Sequence, residues 1–113
     1  MTDEIKENAQ IEGLRLSGDE VSQLTDKHFT IYADPFYEVV PLKNEPDTRR
    51  LVVPVQLANG TKAEWVANKT SQKVLVSKRG RELKDWVNYK GEWIVKLQVI
   101  GQTGEKNVIY LKN

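Results

Sequence analysis

The chain has 113 residues, with 17 Lys plus Arg against 16 Asp plus Glu, one His and no Cys. At 39% hydrophobic and 8% aromatic it has the make-up of one small globular domain, too short for two yet able to bury a core without disulfides or metal. The missing Cys excludes thiol nucleophiles, thiolate zinc sites and dithiol redox motifs, and no apolar run approaches the ~20 residues that span a bilayer.

A net charge of +1 conceals two opposed parts. Residues 1–47 hold eleven acids and four bases, net −7, whereas residues 48–113 hold thirteen bases and five acids, net +8. Two readings stay open: the parts neutralise each other within one fold, or a basic face meets a partner while the acidic part lies elsewhere. The start, Met1-Thr2-Asp3-Glu4, is acidic and polar, unlike a signal or transit peptide, so a cytoplasmic location is expected.

In chain order, residues 1–10 are polar without apolar periodicity and are expected to be mobile, within an acidic extension covering residues 1–26. Ser17 stands three residues before Glu20, a capping-box spacing that predicts a short helix from Gly18 to about Thr25. From His28, Phe29, Ile31 and Ala33 alternate with Thr30, Tyr32 and Asp34, the period of a half-buried strand. Asp34-Pro35 interrupts it before Phe36–Val40 resumes, which predicts one bent first strand. Lys43–Thr48 reads as a loop.

The clearest signal follows. Leu51, Val53, Val55 and Leu57 alternate, Asn59-Gly60 supplies positive backbone angles for a tight turn, and Ala63, Trp65 and Ala67 return. Pro54 is expected to point its missing donor away from a pairing partner or to sit at a bulge. Thr70 or Ser71 caps an interrupted helical segment over about Ser71–Val87, with Gly80 as a stop. Tyr89-Lys90-Gly91 is read as a turn, Trp93–Ile100 as a strand, Gly101–Gly104 as a hairpin connection and Lys106–Lys112 as the last strand.

Three strands, one helix and two strands is the element order of the five-stranded oligonucleotide/oligosaccharide-binding (OB) barrel. The stretch Trp65-Val66-Ala67-Asn68-Lys69-Thr70-Ser71, then Leu75, Gly80 and Asp85-Trp86-Val87-Asn88-Tyr89-Lys90-Gly91, resembles the strand–helix–strand passage of small archaeal and phage-like single-stranded nucleic-acid-binding OB proteins. The expected fold is therefore mainly β: an OB-type Greek-key barrel over residues 27–113, with one helix between strands 3 and 4 and a short N-terminal helical extension. What the resemblance implies is binding of single-stranded DNA or RNA on the face of the second and third strands and the loops beside it.

The chemistry agrees with binding more than with catalysis. His28 is the sole imidazole and no Gly-x-Ser-x-Gly or phosphate-loop sequence occurs, so no enzyme activity is expected. Zinc would want about four ligands, and neither metal nor cofactor is expected. Asn59-Gly60-Thr61 and Asn68-Lys69-Thr70 match the glycosylation sequon, which matters only for a secreted chain. Single-stranded nucleic acid needs cations along a groove and flat rings for stacking, and the candidates are Tyr32, Tyr37, Arg49, Arg50, Lys62, Trp65, Lys69 and Lys73. Trp65 is open between filling the core and stacking a base, and the helical lysines between phosphate contact and a solvated face. The alternative function is a protein–protein adaptor, or a subunit of a larger complex, docking through the same barrel or the acidic arm; a polysaccharide ligand is a third.

Overall fold

The computed structural model describes residues 15–42, 45–99 and 104–113. The expected mobility of residues 1–10 and the turn at Gly101 lie outside these residues. Among the described residues two helices, α1 (Gly18–Ser22) and α2 (Lys69–Arg79), accompany strands β1 (His28–Ile31), β2 (Phe36–Leu42), β3 (Glu45–Leu57), β4 (Lys62–Ala67), β5 (Lys90–Val99) and β6 (Glu105–Leu111), and a 3-10 turn spans Leu83–Trp86. The strands form one antiparallel sheet: β1 and β2 share an edge of β3, β4 takes the other edge, and β5 and β6 follow on from β1.

The first strand bends as its Asp34-Pro35 break requires. Four residues separate Ile31 from Phe36, while only Val53 and Pro54 separate their β3 partners Val55 and Val52, so two extra residues bulge out. Pro54 faces this bulge, its carbonyl accepting from the Tyr32 amide at 3.2 Å, and its missing N–H therefore costs no ladder bond to β4. Residues 45–48 belong to β3 rather than to a loop, because pairing with β2 runs out to Leu42–Glu45.

Two turns differ in detail from expectation. At the β3–β4 hairpin only Gly60 has a positive φ, +92°. Leu57 accepts from the Gly60 amide and donates to the Thr61 carbonyl, which makes a three-residue loop with a glycine bulge instead of a two-residue turn. Before β5 the turn falls at Asn88 (φ 75°), and Gly91 lies in β5 opposite Phe29, where a Cβ would come within 3.0 Å of the Phe29 ring.

The core gathers Val21, Phe29, Ile31, Leu51, Val53, Val55, Leu57, Ala63, Trp65, Ala67, Leu75, Trp86, Trp93 and Leu111. Its centre is aromatic: Phe29 stacks on Trp93 at 4.3 Å between ring centroids, and Trp65 meets both edge-on at 5.4 and 5.6 Å. Helix α1 forms through the Ser17–Glu20 capping box and contributes Val21 to this core. Helix α2 is capped by Asn68, not by Thr70 or Ser71: the Asn68 side chain accepts from the Ser71 amide.

Among the described residues no ladder joins β4 to β6. Residues 15–19 occupy that interval, with the Leu16 amide donating to the Glu64 carbonyl of β4 at 2.9 Å and the Asn107 side chain of β6 donating to Asp19 at 2.8 Å. The start of α2 closes the remainder. Asn68 donates to the Ile109 carbonyl, and the buried Ser71 hydroxyl accepts from the Leu111 amide, each at 2.9 Å. Edge groups of β6 are thereby satisfied by side chains.

Candidate functional site

Strand alternation divides the β2–β3–β4 region into two faces. Leu51, Val53, Val55, Ala63, Trp65 and Ala67 point into the core, so their neighbours Val52, Pro54, Gln56, Lys62, Glu64 and Val66 point outward. Register adds Phe36 opposite Val52 and Glu38 opposite Arg50 to this outer face. Because the first-strand bulge holds an even number of extra residues, the alternation carries through it unchanged. Phe36, and not Tyr37, therefore keeps the face of Tyr32.

The outer face thus presents two exposed rings, Tyr32 and Phe36, at 37% and 43% accessibility. Lys62 Nζ lies 4.9 Å from the Tyr32 ring centroid, a cation–π contact at one end. Arg50 is exposed at the other. Between them Arg15 reaches across β3, donating from Nη1 to Glu38 at 2.8 Å and from Nη2 to Glu64 at 2.9 Å. This clamp explains why Val52, outside the core cluster, is 0% exposed. The hydrogen bonds to Glu38 and Glu64 hold the Arg15 pKa above its ordinary value, and its single positive charge offsets one of the two carboxylates it bridges.

No family model, curated protein or solved structure gave a significant match to the chain.

Of the eight residues expected to bind, Tyr32, Arg50 and Lys62 come together on the outer face. Trp65 is corrected: at 0% exposure, packed between Phe29 and Trp93, it has no ring face to offer a base. Tyr37 and Arg49 are exposed, but they pair opposite Leu51 and Val39 and so lie on the other side of the β2–β3 hairpin. Lys69 and Lys73 sit on α2, away from the strand face, around an open groove. Sequence reasoning missed Phe36; the signal was its even spacing from Tyr32, hidden by the proline break.

His28 stands between two carboxylates. Its Nδ1 lies 2.6 Å from Asp26 and its Nε2 3.7 Å from Glu92, which also pairs with Lys112. The hydrogen bond His28 makes to Asp26, seconded by the charges of Asp26 and Glu92, pushes the imidazole pKa up, and the His28 backbone N–H, followed by its ring, donates to Asp26 and lowers the pKa of that carboxyl. An imidazole biased toward its charged form between two carboxylates is a poor general base, and no hydroxyl is hydrogen-bonded to it among the described residues. No cluster of three or more metal-ligating side chains occurs among the described residues, and no described helix is long and apolar enough to cross a membrane.

Proposed function

We propose that the chain is a cytoplasmic, non-enzymatic OB-type barrel that binds single-stranded nucleic acid on the outer face of β2, β3 and β4. The fold part is supported by four ladders of such a barrel: the bent β1–β2 strand with β3, β3 with β4, β5 with β1, and β6 with β5, with α2 between the third and fourth strands of that count. Residues 15–19 stand where the fifth ladder would run.

The function part is carried by one observation: Tyr32 and Phe36 are held on one face by the two-residue bulge, between Arg50 and Lys62. Rings supply sequence-tolerant stacking, and the cations supply phosphate contacts. A second reading, a protein–protein adaptor, is favoured by Leu97 and Val99, which are 59% and 74% exposed at the end of β5.

Fluorescence anisotropy with a labelled single-stranded oligonucleotide separates the two. Tyr32→Ala and Phe36→Ala should each weaken binding by about 1–3 kcal/mol, about 5- to 150-fold in Kd. Salt should weaken it with a log–log slope of about −0.7 per phosphate contacted. Equal binding by wild type and both variants would remove the outer face from the mechanism, and no binding at low salt would leave the adaptor.

A further inference from the structure

The densest positive charge of the chain lies off the proposed strand face. Residues 69–85 carry six bases, Lys69, Lys73, Lys78, Arg79, Arg81 and Lys84, against Glu82 and Asp85. Among the described residues none of these bases forms an ion pair with a carboxylate; the ion pairs present use Arg15, His28 and Lys112. Lys69, Gln72, Lys73, Val76 and Ser77 recur at helical spacing along one side of α2, and with Arg81 they line an open groove of about 490 Å³ that contains no acid. The helix is held firmly from beneath. Leu75 is buried, Ser71 bonds to β6, and Gln72 donates to the Ala67 carbonyl at 2.8 Å.

β4 links this groove to the strand face. Lys62 is its first residue and Lys69 stands two residues past its last, so the two lysines are separated by a strand of about 20 Å at ~3.3 Å per residue. We propose that a single strand bound on the outer face continues along β4 onto α2, where Lys69, Lys73 and Arg81 contact its phosphate backbone. This rests on the nucleic-acid reading of the strand face. Charge complementarity selects the occupant: unpaired cations around a groove free of acids suit a polyanion. A lipid surface suits it less, because α2 presents no exposed large apolar side chain among the described residues.

The test compares two labelled oligonucleotides, of about four and about twelve nucleotides, on the full chain and on the triple variant Lys69→Gln, Lys73→Gln, Arg81→Gln. All three side chains are exposed, so circular dichroism should show an unchanged fold. The wild type should bind the longer strand with a salt slope steeper by about 2 than the shorter, from three more phosphates at about 0.7 each. In the triple variant that difference should vanish while the shorter strand binds as before. An unchanged slope for the longer strand overturns the α2 path and leaves the strand face standing. Loss of binding to anionic phospholipid vesicles, with oligonucleotide slopes unchanged, overturns it in favour of a membrane contact. No binding of either oligonucleotide overturns both the path and the face it extends.

Discussion

Gly18→Ala should pull the N-terminal helix off β6. Gly18 opens α1, and a Cβ built there would lie 2.0 Å from the backbone oxygen of Asn107 and 2.6 Å from its carbonyl carbon. The obstacle is backbone, and β6 cannot retreat while it is paired along its length with β5. The helix must move instead, and it takes with it the Asn107–Asp19 hydrogen bond and the burial of Val21, which is 0% exposed. Burial of such a side chain contributes about 1.5–3 kcal/mol and the hydrogen bond about 1 kcal/mol. A loss of about 3 kcal/mol in urea unfolding is therefore expected. A change within about 0.5 kcal/mol would mean that residues 15–19 do not fill the interval between β4 and β6.

Trp93→Ala should cost about 3–5 kcal/mol, measured in the same way, since it removes the ring on which Phe29 stacks and which Trp65 meets edge-on. The aromatic centre also carries a cost of its own. The indole N–H groups of Trp65 and Trp93 are buried without a hydrogen-bond partner among the described residues, unlike Trp86, whose indole donates to the Gly80 carbonyl at 2.9 Å. A buried unsatisfied donor costs about 1–3 kcal/mol. Trp93→Phe removes that donor along with part of the ring, so it should lose much less than the alanine variant. Equal losses for the two would mean that neither the ring phenylalanine retains nor the removal of the donor recovers any stability.

What could be read from the chain follows the range of the interactions involved. Local signals located their elements: the Ser17–Glu20 box, the alternation from Leu51 to Ala67 around Asn59-Gly60, and Gly80 as the end of α2. Boundaries drifted where a distant partner decides them. Asn68 displaces Thr70 and Ser71 as the cap because its amide also reaches the Ile109 carbonyl, while Ser71 is occupied by Leu111. Residues 45–48 read as a loop by composition and are drawn into β3 by pairing with β2.

The site was legible in the same measure. Tyr32, Arg50 and Lys62 emerge from alternation and charge, but Phe36 depends on the number of residues in a bulge, which sequence does not display. Trp65 is buried because Phe29 and Trp93 close around it from β1 and β5, contacts of long sequence range. The Arg15 clamp joins Glu38 and Glu64, 23 and 49 residues away in sequence, and has no local signature. It places Arg15 at the middle of the face proposed to bind.

Backbone amide chemical shifts followed by NMR, during titration with a short single-stranded oligonucleotide at low salt, test the proposed interface most directly. The largest shifts are expected at Tyr32, Phe36, Arg50, Gln56 and Lys62, fading as salt is raised. Shifts confined to the end of β5 around Leu97 and Val99, or no shifts at all, would contradict nucleic-acid binding on the β2–β3–β4 face.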